Sequence, residues 1–148
     1  MANFKSSIVT CLLTALMGLA HAQSAPLSVA DMAVYQGPDR QAKLIEAAKK
    51  ESGLAVYHTY PALTNIMNEF GKKYGIKVKS WRAGSEAVLQ RVISENRGNK
   101  FDVDIVQNNA PENEAAYREK LLQEVKSPFH NDLLNQAVPA HKHWAGIT

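Results

Sequence analysis

The 148-residue sequence predicts an α/β fold with a parallel sheet, on three observations. Short β-rich runs alternate with amphipathic helical runs from residue 39 to residue 122. Glycines stand at several of the expected helix exits, where a left-handed residue ends a helix. The order strand, helix, strand, helix, strand implies right-handed crossovers, hence a three-layer arrangement with helices flanking the sheet. No internal repeat or low-complexity tract interrupts this alternation.

Each element has a local reason. Asp39 to Ser52 reads as a helix, with Leu44, Ile45 and Ala48 apolar, Pro38 at its entry and Gly53 at its exit. Leu54 to Tyr57 is a short apolar strand. Pro61 opens a helix whose Leu63, Ile66, Met67, Phe70 and Tyr74 form one stripe, and Gly75 stops it. Ile76 to Trp81 is the next strand. Ser85 to Asn96 is helical, with Val88, Leu89, Val92 and Ile93 as its inner side, Ser85 as the N-cap and Gly98 as the end. Val103 to Val106 makes a third strand and Pro111 to Leu122 a further helix. Lys126 to Pro139 is expected as a loop with one helical turn near Asp132 to Gln136. Trp144 to Thr148 reads as the opening of another strand, so the α/β unit is expected to be incomplete at its carboxyl end.

Ahead of these elements, Met1 to Ser7 is short and polar with one basic residue, Lys5, and Ile8 to Ala20 is an apolar run. Ala20-His21-Ala22 then places small residues where a signal peptidase inspects the chain. The run is about 13 residues, too short for the ~30 Å hydrocarbon core of a bilayer. Residues 1–22 are therefore expected to be a secretory signal peptide cleaved after Ala22, with export to the periplasm. Residues 23–38 read as a leader and residues 39–148 as the folded part. The single cysteine, Cys11, lies inside the signal, so the mature domain is expected to hold by its core and not by disulfides. The net charge of +3 comes from interspersed signs, and no dense basic block exists. That argues against nucleic acid as a partner.

Ligands of open parallel sheets sit beyond the carboxyl ends of the strands, where strand order reverses. Three turns qualify: His58-Thr59-Tyr60, Arg82-Ala83-Gly84-Ser85-Glu86, and Gln107-Asn108-Asn109. Each leads into a helix start, whose free N–H groups and positive dipole end suit polar or anionic groups. The candidate ligand-binding residues are His58, Thr59, Tyr60, Arg82, Gly84, Ser85, Glu86, Asn108 and Asn109. Arg82 can clamp a carboxylate or stand solvated beside Glu86; Gly84 can admit a ligand to the backbone or merely allow a turn. His58 and Tyr60 can ligate a metal or simply pack. His141 and His143 share a strand spacing of two, but with no carboxylate or cysteine beside them in sequence they make a poor metal site. Asp102 and Asp104 have the same spacing and are expected at the amino end of their strand, away from the ligand edge. The mature chain carries no activated serine, no cysteine nucleophile and no phosphate loop, so an enzyme is not expected.

Several ordered segments resemble the mature start of extracellular solute-binding proteins of the ferric-iron-binding type. They are Tyr35-Gln36-Gly37-Pro38-Asp39-Arg40, Leu44 to Glu51, Val56-Tyr57, Phe70 to Val78, Arg82 to Glu86, and Phe101 to Val106. The resemblance implies a lobe of the periplasmic-binding-protein-like (type II) fold, and residues 39–148 as the amino-terminal part of the first of two lobes. It also implies a monomer that captures a small solute and delivers it to the permease of an ABC importer. No cofactor is implied beyond Fe³⁺ as a transported ligand. In that case Tyr60 or His58 fills the place of the first-strand ligand, Tyr60 being the better phenolate donor for a hard cation. Asn109 stands where iron-binding members carry a carboxylate, which leaves a small polar or anionic organic solute as the competing ligand. Two other functions remain open: a secreted hydrolase-like enzyme with catalytic residues further along the chain, and a periplasmic sensor that hands its ligand to a receptor.

Overall fold

The computed structural model describes residues 28–146. The expected signal peptide and residues 23–27 of the leader lie outside the described residues, as do the last two residues of the strand expected at Trp144 to Thr148. Its structure is mixed α/β: five α-helices and a three-stranded parallel sheet among the described residues.

Helix α1, Val29–Val34, falls in the stretch read as a leader, where no helix is expected. Ser28 caps it, its Oγ accepting the Asp31 N–H at 3.1 Å, a serine-to-third-residue arrangement that nucleates a short helix. Helix α2 spans Arg40–Lys49, shorter than the Asp39 to Ser52 expected. Strand β1, Leu54–His58, is central; α3, Leu63–Tyr74, leads to β2, Val78–Arg82; α4, Ser85–Arg97, leads to β3, Ile105–Gln107; α5 is Ala110–Arg118. Gly75 ends α3 in the left-handed region at φ 69°, as its position foretells. Helix α5 stops earlier than expected because Lys120 turns left-handed (φ 58°), letting the Leu121 N–H reach back to the Ala116 carbonyl. No glycine marks that stop. Residues 126–139 hold two 3₁₀ turns, His130–Asp132 and Asn135–Ala137, in place of the single turn expected. Trp144 to Gly146 is not a strand.

The strand order is β2-β1-β3. The crossover from β1 to β2 and the one from β2 to β3 move across the sheet in opposite directions, so α3 and α4 must lie on opposite faces. Side-chain alternation agrees. Leu54, Val56 and His58 face α3, where Thr64 Oγ1 meets His58 Nε2 at 3.3 Å. Tyr57 and Trp81, register partners, face α4 and pack edge to face with centroids 5.2 Å apart. Tyr57, Val88 and Val92 form the buried cluster there, with Val103, Val106 and Leu121 packed against it. Val56 and Val88 are fully buried, and each contributes about 1.5–3 kcal/mol by leaving water.

Over this cluster sits Arg91, its Cζ 4.4 Å from both the Tyr57 and Trp81 ring centroids. Glu95 Oε1 fixes it, accepting from Arg91 Nε at 2.7 Å and from the Tyr57 hydroxyl at 2.8 Å. Burial pushes the Glu95 carboxyl up, but these two hydrogen bonds and the Arg91 charge outweigh it and hold the group below its ordinary range. A carboxyl held low stabilises the fold at neutral pH, and that contribution is lost as pH falls through its folded value. Wild-type unfolding free energy is therefore expected to fall on acidification from neutral pH, and Glu95→Gln to be less stable at neutrality with a flatter acid slope, measured by urea unfolding across pH.

Gly53 enters β1 at φ 140°, and a Cβ there would stand 2.5 Å from the Lys77 carbonyl oxygen that accepts the Leu54 N–H. Gly53→Ala is expected to cost about 1–3 kcal/mol in chemical denaturation, through backbone strain and separation of β1 from the entry to β2.

Candidate functional site

Two ladders set the site. His58 pairs with Arg82 on one side and with Gln107 on the other, so the carboxyl ends of all three strands stand in one row. The three polar turns follow that row immediately, on a shared edge. Hydrogen bonds stitch them together. Gln107 Oε1 accepts the Thr59 and Tyr60 N–H groups, both at 3.0 Å, and the Thr59 hydroxyl at 3.3 Å. Asn108 Nδ2 donates to the Ser85 carbonyl at 3.0 Å, and Asn109 Nδ2 to Ser85 Oγ at 2.6 Å. The Ala83 N–H donates to the His58 carbonyl at 3.1 Å.

The candidate residues divide in this arrangement. His58 does not face the edge. It is fully buried; Nδ1 lies 2.9 Å from the Tyr60 carbonyl and Nε2 2.7 Å from Ser80 Oγ. A neutral ring that donates from Nδ1 and accepts at Nε2 satisfies both contacts, leaving neither nitrogen for a solute or metal. His58 is thus a strut beneath the first turn, which corrects the ligand role expected of it. Asn108 is likewise buried, and both ends of its amide are engaged, Oδ1 accepting the Asn109 N–H at 2.9 Å. It fastens the third turn to the second.

Thr59 is half-buried, while Tyr60 presents an exposed phenol. Arg82, Gly84, Glu86 and Asn109 are exposed, and Ser85 is half-buried. Ser85 is not the N-cap of α4; Gly84 is, and the Ser85 hydroxyl serves Asn109 instead. Gly84 takes φ −69° and ψ 157°, open to any residue, so no turn requires glycine there. Nothing lies within 4 Å of where its Cβ would be, so the start of α4 stands open. Glu86 accepts from Gln90 Nε2 at 2.8 Å, and among the described residues Arg82 pairs with no carboxylate.

The opposite end of the sheet differs. Asp104 Oδ2 accepts the Ala55 N–H at 2.7 Å, so the acid pair does stand at the amino ends of the strands. A broad trough of about 860 Å³ opens there, lined by residues that include Trp81, Arg91, Phe101, Asp102 and Asp104. It is separate from the three turns. Among the described residues no three His, Cys, Asp or Glu side chains gather as a metal centre requires. No described helix is long and apolar enough to cross a membrane. Comparison with protein-family models, curated proteins and solved structures finds no match.

Gln107 carries the junction of the first and third turns, a role its sequence position does not advertise. Truncating it leaves the Thr59 and Tyr60 amides without their acceptor. Gln107→Ala is expected to speed hydrogen exchange at those two amides by about tenfold or more, read by NMR, while β1 amides such as Val56 change little.

Proposed function

We propose that residues 39–146 form one wall of a solute cleft in a periplasmic binding protein, a type II lobe that captures a small polar or anionic solute for an ABC importer. The observation that carries this assignment is the alignment of His58, Arg82 and Gln107 in one row, which brings three polar turns to a single edge at the point of strand-order reversal. Arg82 brings to that edge a guanidinium that pairs with no carboxylate among the described residues, and α4 starts there without a side-chain cap. Tyr60 and Asn109 add an exposed phenol and an amide. A carboxylate or a comparable oxyanion fits this donor set, with Arg82 as its charge partner and Ser85 and Asn109 as neutral contacts. Ferric iron fits it less well. His58 is spent internally, Asn109 is a neutral amide where a carboxylate is needed, and Tyr60 alone remains as an anionic donor. The segments resembling ferric-iron-type binding proteins and the signal-like amino terminus supply the remaining support.

A second wall closing over the first gives such proteins their affinity, so one wall binds weakly. The test is an NMR titration of residues 23–148 with a panel of small carboxylates, phosphonates, ferric citrate and neutral sugars. An oxyanion is expected to shift the amides of residues 59–60, 84–86 and 108–110 at millimolar concentration. Arg82→Ala is expected to weaken that binding about tenfold, the loss of a charge-assisted contact of about 1.5–3 kcal/mol being diluted by solvent exposure. Shifts centred on Asp102, Phe101 and Arg91, or none for any member of the panel, would count against the cleft.

A further inference from the structure

The His141 to Trp144 run, a poor metal site by sequence, acquires a carboxylate in the fold. Glu114, on α5, accepts from His141 Nε2 at 3.2 Å and from the Trp144 indole N–H at 3.3 Å through one oxygen. Its other oxygen takes Arg118 Nε at 3.3 Å. The His141 ring stacks on Tyr117, with centroids 3.7 Å apart and planes 12° from parallel. The far ring nitrogen, Nδ1, accepts the backbone N–H of His143 at 3.1 Å. These contacts, together with the Val125 N–H to the Lys142 carbonyl, fasten an irregular segment to the rest of the fold.

The two nitrogens of His141 therefore do opposite work. A nitrogen that accepts carries no proton, so Nδ1 must be bare and Nε2 must hold the hydrogen given to Glu114. We propose that His141 is a proton-operated latch: its neutral Nε2–H form holds residues 138–146 against α5, and protonation releases them. A proton on Nδ1 sets one N–H against another, that of His143. Turning the ring over to escape takes Nε2 away from Glu114. The imidazolium gains attraction to Glu114, but that carboxylate is one-third exposed and already shared with Arg118 and Trp144, so the gain is screened.

The charged and titratable groups around the ring are Glu114, Tyr117 and Arg118 from α5 and Lys142 and His143 from its own segment. Burial pushes the Glu114 carboxyl up, but hydrogen bonds from His141, Trp144 and Arg118 outweigh it and hold the group low. Glu114 is thus the standing acceptor for both N–H groups, and the switching group is the ring. The latch acts on the second turn of α5. At the residue just before Glu114, Asn113 Nδ2 donates to the Asn108 carbonyl, which ties the same helix to the third polar turn.

The experiment uses the ¹⁵N-labelled whole chain. Long-range ¹H–¹⁵N spectra at about pH 8 are expected to show His141 protonated at Nε2 alone. On moving to about pH 5, the Trp144 indole and His143 amide peaks are expected to shift together with the His141 ring, and exchange at residues 143–146 to rise about tenfold or more. His141→Phe keeps a ring for Tyr117 but neither hydrogen bond, and is expected to show the released spectrum at both pH values. His143→Gln is expected to keep the transition. Three results would overturn the latch: an Nδ1–H tautomer at high pH, Trp144 and His143 signals that do not follow the His141 ring, or an unchanged transition in His141→Phe. The tautomer measurement stands on the wild type alone should a variant fail to fold.

Discussion

Strand β1 takes part in two parallel ladders at once, and its last residue is paired on both sides. A parallel ladder advances its neighbours in step, so pairing His58 with both Arg82 and Gln107 compels the three strands to end together. Each turn then begins at the same height above the sheet. The polar edge is a consequence of that register before it is a consequence of any side chain. A slip of one residue in either ladder would send Arg82 or Gln107 to the opposite face, because strand side chains alternate with period two. What resists such a slip is packing on both sides. Tyr57 and Trp81 meet on the α4 face under Arg91, and His58 on the α3 face is locked to Ser80 on its neighbour.

The periodic elements were legible in the sequence and the joins between them were not. The stripe of Leu63, Ile66, Met67, Phe70 and Tyr74 fixed α3 to its last residue, since Gly75 supplies the left-handed stop on which the pattern depends. Lys120 performs the same office at the end of α5 without the residue type that announces it, and so α5 ran long. The α1 helix escaped notice because six residues cannot display a 3.6-residue period, although Ser28 and Asp31 mark its start. At the site, the gathering of three turns was foreseeable from strand order. The division of labour among their residues was not, because His58 and Tyr60 are near neighbours in sequence while one is buried and the other exposed. Nothing in the spacing of Gln107 reveals that it reaches the amides of Thr59 and Tyr60. Glu114 is likewise 27 residues from the histidine it meets.

Both ends of the sheet are polar, for different physical reasons. At the amino ends, Asp104 closes a gap in the ladder by accepting a backbone N–H, and the trough beside it carries acids and bases together. No single ligand charge is favoured by such a mixture. At the carboxyl ends the helix starts bring partial positive charge, and Arg82 adds a full one that pairs with no carboxylate among the described residues, Glu86 on the same turn being engaged by Gln90. In the proposed cleft the helix starts and Arg82 favour an oxyanion, against the exposed carboxylate of Glu86 on the same turn.

The occupancy of the helix starts refines where such a group could sit. The turn before α3 presents the Thr59 and Tyr60 amides, but Gln107 Oε1 already takes both, so a solute there has to displace an acceptor held on a paired strand. The α4 start is different. Its N-cap is Gly84, which has no side chain to fold back on Ser85 or Glu86, and the space beside its Cα is open. Ser85, whose hydroxyl could have capped a helix one residue later, is turned toward Asn109 instead. Arg82 leaves β2 two residues before that uncapped start. An anionic oxygen placed at the α4 terminus therefore meets backbone amides that no side chain caps. In the proposed cleft, therefore, the second turn, more than the first, is the one that would govern affinity for a solute.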